Sequence, residues 1–451
     1  MHEPTTQETA PSGPAHVPVE EALRVALALH RSGELADAAK LYRRILEGYP
    51  EQPDALHFLG ILVRQQNQRG EAIDLMRRAI SAAPDYVSAH NNLGNLLCED
   101  GRFEEARCCV LRALELSRDD PLAINNLGNI EGALGHAEKA REAFEKAAAL
   151  APDFALPYEN LGRYYYRLGN IARAHDYFCN AVLHDPGLCH SRQFMGIALA
   201  HLGKLEEARA HYRKWIEAEP DNPVPQHLLR TVSVEAAPLR ASDEYVRTLF
   251  DSFASTFNVH LQRLEYRAPE LVLEVLREDG LRPEGGLDIL DAGCGTGLCG
   301  ALLRPFASKL HGVDLSPGML EKARADGHYD ALIECELTAF LDARPQHYDV
   351  IACADTLCYF GDLNADVKAA AAALRTAGRF AFSVEQTSHD GTPAGFCLRH
   401  SGRYVHTEDY VRRILSHAGL QVRSMKQQVL RIEAGTPVEG LIVAAMKPTG
   451  A

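Results

Sequence analysis

The chain has 451 residues, 46% of them apolar, with a formal net charge of -14 and eleven cysteines. That length allows two or three domains at the usual size of about 100–200 residues each. The acidic balance, without a long basic run, argues against a nucleic-acid partner, which must be held by Lys and Arg against counterion release.

Residues 1–18 are rich in Pro and Thr and have no apolar core, so they read as a disordered N-terminus rather than a signal peptide. No run approaches the ~18 apolar residues of a membrane span. The cysteines form no C-x-x-C pair and no Cys/His spacing suited to a metal. They read as small hydrophobes in a reducing compartment, which implies no metal site and a cytoplasmic location.

From residue 19 to about 220 the sequence repeats with a 34-residue period. Position eight of each unit is Ala26, Gly60, Gly94, Gly128, Gly162 or Gly196, and position twenty is always Ala. Position twenty-four is large: Tyr42, Met76, Val110, Phe144, Phe178 and Tyr212. Small residues suit a close approach of two helices, and the large one fills the gap beside them. Pro50, Pro84, Pro152, Pro186 and Pro220 are expected to stop the second helix of five units, with Arg118 in the third. The pattern resembles the tetratricopeptide repeat and predicts an α-solenoid over 19–234: six repeats plus a capping helix near Pro225–Val232.

Position six carries Asn92, Asn126 and Asn160 in three successive units, flanked by Phe58 and Phe194. Asn is a mediocre helix former, so packing alone does not ask for it three times in register. This resembles the asparagine ladder of O-GlcNAc transferase repeats, which implies amides that hold an extended peptide backbone. A solvated repeat consensus explains the same residues without a partner.

Residues 235–241 read as a linker to a second domain over 242–448. Ser242–Leu276 is predicted helical with a break near Ala268-Pro269, and its apolar face presents Phe253 and Phe257. Leu287–Asp291 then reads as a buried strand, followed by the glycine turn Gly293-Cys-Gly-Thr-Gly297 and a helix over Leu298–Phe306. Gly295-Thr-Gly-Leu-Cys-Gly300 matches G-x-G-x-x-G literally, but its first glycine lies four residues past the strand. The alternative frame places the carboxylate of Asp291 at the strand end. A carboxylate there repels a pyrophosphate but is able, directly or through water, to hold an ammonium.

Lys309–Asp314 reads as a second strand ending in an acid 23 positions after Asp291, the separation expected of a carboxylate accepting from ribose hydroxyls. Ser316 and Pro317 open the next helix. Strands are predicted at Ala331–Cys335, Tyr348–Asp355 and Gly378–Glu385, with helices at Leu363–Thr376 and Glu408–Ala418. Gln421–Leu430 and Leu441–Met446 are expected to close the sheet as a hairpin.

Residues 242–448 resemble class I S-adenosylmethionine-dependent methyltransferases, and both halves together resemble bacterial tetratricopeptide-repeat methyltransferases. The resemblance implies a Rossmann-like α/β domain with a mostly parallel seven-stranded sheet and S-adenosylmethionine as cofactor. It implies cofactor contacts from Asp291, Gly293, Cys294, Gly295, Gly297, Asp314, Leu315, Met319, Glu336, Leu337 and Asp355, with Glu336 accepting from the adenine amino group. Family members often lid the cofactor with a helix at the place of Phe253 and Phe257.

Methyl transfer needs alignment and exclusion of water more than a base. Glu385, His389, His406 and Tyr359 are basic or acidic candidates near the expected acceptor, with no spacing rule to choose among them. The stretch Asp355-Thr-Leu-Cys-Tyr-Phe360 lacks the Asn/Asp-Pro-Pro-aromatic run of many N-methyltransferases, which favours oxygen, carbon, sulfur or carboxylate acceptors. Three functions fit: a methyltransferase whose repeats recruit a protein or peptide, a small-molecule methyltransferase docked through its repeats, and a non-catalytic cofactor-binding scaffold.

Overall fold

The computed structural model describes residues 18–66, 68–233, 237–254, 257–258, 261, 264–387 and 394–449. Its contacts divide the chain into two compact units at Ala151/Pro152. In the first, four antiparallel helix pairs follow one another, from Val19–Arg31 with Leu35–Gly48 to Pro121–Ala133 with Ala137–Leu150. The second opens with two more pairs, Ala155–Arg167 with Ile171–His184 and Cys189–His201 with Leu205–Ala218. The capping helix Pro223–Thr231 and the α/β half follow. The compact units therefore do not divide where the repeats end.

The small-large pairing sets the spacing of each helix pair. A Cβ added to Gly94 would lie 2.4 Å from Val110 Cγ2, one on Gly128 2.5 Å from the Phe144 ring, and one on Gly196 2.4 Å from the Tyr212 ring. The closing prolines are not the sole stop. Second helices end at Gly48, Ala82, Leu116, Leu150, His184 and Ala218, each two residues before the proline position. The third ends in the same register with Arg118 in place of Pro. The residue before each proline has left helical backbone, as a following proline requires, and Ser117 before Arg118 does the same without one.

Nine strands are present among the described residues: β1 Leu287–Ala292, β2 Ala307–Asp314, β3 Ala331–Glu334, β4 Tyr348–Cys353, β5 Leu374–Gln386, β6 Phe396–Leu398, β7 Tyr404–His406, β8 Gln421–Glu433 and β9 Thr436–Met446. The seven longer or central ones run β3-β2-β1-β4-β5-β9-β8. β1 to β5 are parallel, and β9 runs antiparallel between β5 and β8. Alternating residues feed two cores. Leu290, Ile351 and Phe382 face one layer, while Ile289, Val350 and Ala381 face the helix Ala268–Glu278.

The short hairpin β6–β7 is not among the strands expected from the sequence, because three-residue strands carry no readable alternation. β9 occupies one edge of Glu385, so β7, which pairs with Glu385 and Gln386, takes the edge that β4 vacates beyond Cys353. It therefore covers the C-terminal end of β4. In the lead-in, Asp243–Phe253, the described residues 257, 258 and 261, and Ala268–Glu278 are helical, while 264–267 are not, and Pro269 opens the last helix.

The segment expected to be a linker is docked where it is described. Arg240 bridges Phe360, Ala241 N donates to Tyr359 O at 2.8 Å, and Leu239 O accepts from Gly361 and Asp362 N. Pro238 O accepts from Tyr404 Oη at 2.7 Å. No described helix is long and apolar enough to cross a membrane.

Candidate cofactor site

The site gathers at the C-terminal ends of β1, β2 and β4, where an open parallel sheet holds its ligands. Gly293 N and Cys294 N both donate to Val313 O, which clamps the glycine turn to β2. The glycines then separate by role. A Cβ on Gly293 would strike Thr356 Oγ1 at 2.1 Å, so that glycine makes room for β4's loop. Gly295 has φ +53° and nothing within 4 Å of its missing Cβ, so it is the one that opens toward a ligand. Gly297, at φ +95°, is the left-handed residue from which the next helix starts. That helix spans only Leu298–Leu303 before a 3-10 turn, shorter than expected.

Asp314 ends β2 beside this opening. Its Oδ2 accepts from Gly295 N at 2.8 Å and its Oδ1 from Ser316 N at 2.9 Å. Burial raises its pKa, against the lowering effect of these backbone bonds. Each oxygen keeps lone-pair capacity for a further donor. Leu315 follows, partly buried, and Met319 is fully buried with its N–H held by Ser316 Oγ at 3.1 Å. Cys294 is buried, its Sγ packed over Gly312.

Asp291, expected to hold a ligand ammonium directly or through water, is buried. It is 1% exposed, and its Oδ2 accepts from Tyr329 Oη at 2.7 Å. Burial pushes its pKa up to about 7, opposed by the Tyr329 bond and assisted by Asp314. Tyr329 escaped sequence reasoning, yet it supports the loop from beneath. A Cβ on Gly300 would lie 2.7 Å from its ring, and one on Gly312 3.1 Å. The last glycine of the apparent G-x-G-x-x-G thus makes room for an internal tyrosine.

Glu336 caps the helix Leu337–Asp342, its oxygens accepting from Thr338 N and Ala339 N at 3.1 and 2.8 Å. Arg240 Nη1 donates to the same carboxylate at 2.9 Å. Burial acts against the charge, but the amides and Arg240 leave the pKa below its ordinary value. Leu337 is buried beside it.

At the end of β4, Asp355 has φ +54° and its N–H donates to Ser383 Oγ at 2.8 Å. It belongs to a buried ionic cluster that sequence reasoning missed. Arg431 donates to Asp355 Oδ2 at 2.9 Å, to Glu433 Oε2 at 3.2 Å, and to Glu385 Oε1. Arg403 Nε donates to the same Glu385 oxygen at 2.6 Å and its Nη2 to Glu433. Three carboxylates face two guanidiniums, and Asp355 Oδ1 has no hydrogen-bond partner among the described residues. Asp355, Cys358 and Glu385 bring potential metal ligands within 4.8 Å of one another. The guanidinium of Arg431 bonds both carboxylates, which opposes a cation there.

None of the described acid–base candidates is poised as a free base. Glu385 is 5% exposed and doubly paired with Arg; despite burial, those partners lower its pKa. His406 is fully buried with Nε2 bonded to Gly361 O at 3.0 Å, and burial lowers its pKa to about 4. Tyr359 packs edge-on against Phe250, and burial pushes its phenol well above the ordinary value. His389 lies outside the described residues. Phe253 lies 4.5 Å from the His190 ring and Phe257 5.9 Å from the Phe250 ring.

The ladder asparagines have internal partners. Asn92 Nδ2 lies 2.8 Å from His57 Nε2, and Asn126 Nδ2 donates to Asn91 Oδ1 at 2.9 Å, each reaching the preceding repeat. Asn126 is 5% exposed. Asn160 is partly buried and also has a partner. The recurring amide therefore has a packing use, inter-repeat hydrogen bonding, that the 34-residue period did not disclose.

Residues 260–425 match the family model described as a methyltransferase domain. Residues 19–62, 85–153, 125–187 and 190–222 match models described as tetratricopeptide repeat. Methyltransferase-like protein 27 of Homo sapiens is 45% identical over 89 residues, which cover 20% of this chain and 36% of that protein. Ubiquinone biosynthesis O-methyltransferase of Idiomarina loihiensis is 32% identical over 103 residues, covering 22% of this chain and 42% of that protein. The chain thus spans well under half the length of these curated relatives. A solved structure of Burkholderia thailandensis 1,6-didemethyltoxoflavin-N1-methyltransferase aligns with 48% of this chain and 93% of its own, at 22% identity and a TM-score of 0.38. The chain carries tetratricopeptide repeats followed by a methyltransferase domain.

Proposed function

We propose that the chain is an S-adenosylmethionine-dependent methyltransferase whose repeats recruit a protein or peptide acceptor. The observation that supports a nucleoside-bearing cofactor best is Asp314, fixed by two backbone amides beside the opening at Gly295. A vicinal diol donates to such a carboxylate. NAD offers the same ribose diol, so the discrimination rests on the loop: a pyrophosphate laid there meets the buried acid Asp291 and no Lys or Arg of 291–300, which disfavours a dinucleotide.

In this reading Asp314 holds the ribose, Gly295 gives the ligand backbone access, and Met319 and Leu337 wall the purine. Glu336 is committed to its helix cap and Arg240, so its role is to fix the backbone around Leu337. Asp291 acts through Tyr329 and the loop. The cofactor, when bound, supplies a methyl group already activated for displacement by its sulfonium. The chain's part is to orient the acceptor and exclude water. Asp355, whose Oδ1 is buried without a partner among the described residues, shapes the end of β4 through its bond to Arg431.

A second reading is a small-molecule acceptor methylated on oxygen, the chemistry named for the relative from Idiomarina loihiensis. Incubation of the full chain with radiolabelled S-adenosylmethionine and a cognate lysate separates the two. Label in the protein fraction supports recruitment through the repeats, whereas label confined to small molecules supports the second reading. No label in either fraction, with the cofactor bound, returns the chain to a scaffold role.

A further inference from the structure

The helix Asp243–Phe253 has two occupied faces. Tyr245, Leu249 and Phe253, spaced four residues apart, lie on one side of it. Tyr245 is 1% exposed and stacks on His227 of the capping helix at 3.9 Å and 17°. Leu249 shares a core with Tyr212, Trp215 and Leu228 of the last repeat and cap, and Phe253 packs on His190 of the sixth repeat. Arg247 and Asp251 lie on the other side. Asp251 Oδ1 accepts from Ser316 Oγ at 2.5 Å and from Gly318 N at 3.1 Å, and Arg247 Nε donates to Leu315 O at 3.3 Å. Beyond this helix, Asn258 Oδ1 accepts from Thr296 Oγ1 at 2.6 Å, inside the glycine turn.

These contacts converge on the groups that hold Asp314. Ser316 donates its N–H to Asp314 and its hydroxyl to Asp251, so the position of the carboxylate depends on an anchor from the repeat side. The family match begins at residue 260, so this anchor lies outside the matched methyltransferase domain.

We propose that the helix Asp243–Phe253 makes the sixth repeat and its capping helix a working part of the cofactor site, with Asp251 as the positioning residue. The inference rests on the cofactor reading above. Coupling of this kind is reciprocal: a ligand that holds Asp314 and Leu315 more firmly also holds the helix, and through it the repeat. Whatever occupies the last repeat and moves the helix changes cofactor affinity by the same factor.

Hydrogen exchange of the full chain with and without S-adenosylhomocysteine tests this. Exchange is expected to slow at least threefold at 189–201 and 223–231 as well as in the glycine turn. Asp251→Ala is expected to lower S-adenosylhomocysteine affinity at least threefold and to abolish the effect in the repeat. Asp251→Asn keeps an oxygen that accepts from Ser316 and Gly318, and is expected to bind like wild type. Protection confined to the glycine turn overturns the proposal, as does wild-type affinity in Asp251→Ala or equal loss in both variants. Absence of binding to the wild-type chain instead overturns the cofactor reading and the coupling with it.

Discussion

Replacing Tyr329 with Phe removes one oxygen and leaves the ring that packs against Gly300 and Gly312. The oxygen donates to Asp291 Oδ2 at 2.7 Å, and Asp291 is 1% exposed, so no water replaces the lost bond. The loss depends on the charge of the acceptor. A hydrogen bond to a charged group contributes about 1.5–3 kcal/mol, and one between neutral groups about 1 kcal/mol. Burial raises Asp291 to about 7, so the carboxyl is largely ionised at pH 8 and protonated at pH 5.

The variant should lose about 2 kcal/mol at pH 8 and about 1 kcal/mol at pH 5. In a domain of this size that lowers the melting temperature by about 4–8 °C and about 2–4 °C respectively. The wild-type contribution of Asp291 has the opposite slope to that of a salt-bridged acid. Its folded pKa is raised, so its contribution is fully present below the ordinary carboxylate value and is lost as pH rises through about 7. Calorimetry of the full chain and variant at the two pH values measures both effects. Equal losses at pH 5 and pH 8, or no loss, refute the assignment of a buried acid with a raised pKa.

Two glycine substitutions separate ligand access from internal packing. Gly295→Ala places its Cβ in open space and should weaken S-adenosylhomocysteine binding in calorimetric titration while costing only about 1 kcal/mol of backbone strain. Gly300→Ala meets the Tyr329 ring at 2.7 Å and should cost about 1–3 kcal/mol in thermal unfolding. Asp314→Ala should lower cofactor affinity at least tenfold, since each ribose hydrogen bond to the carboxylate is worth about 1.5–3 kcal/mol. It should also lower the melting temperature without ligand, because Gly295 N and Ser316 N lose their acceptor. Joint replacement of Asn92 and Asn126 by Ala should destabilise the repeats by about 1–2 kcal/mol in urea unfolding, despite the better helix propensity of Ala.

The repeats were legible because a period exposes packing: the same small residue meets the same large one in every unit, as Gly128 meets Phe144 and Gly196 meets Tyr212. Asp314 was legible because a strand end, a glycine turn and a fixed separation constrain one residue. Tyr329 was not, since it follows a helix with no periodic signal and its partners lie in the glycine motif. The Arg431 cluster joins residues 355, 385, 403, 431 and 433, which only the sheet order brings together. Pro238–Ala241 reads as a linker by composition, and its docking follows from backbone hydrogen bonds that no side chain announces. Glu336 and Asp291 were found as acids at the right strand ends, but their hydrogen-bond partners were beyond sequence reasoning.

Isothermal titration of the full chain with S-adenosylhomocysteine and, separately, with NAD tests the central claim most directly. A carboxylate held at 314 accepts the ribose diol of either ligand, but the buried acid at 291 and a loop without Lys or Arg favour the ligand without phosphate. S-adenosylhomocysteine should bind at about micromolar concentration, near -8 kcal/mol, and NAD should give no comparable heat. Tight NAD binding, or none by S-adenosylhomocysteine, would contradict the account.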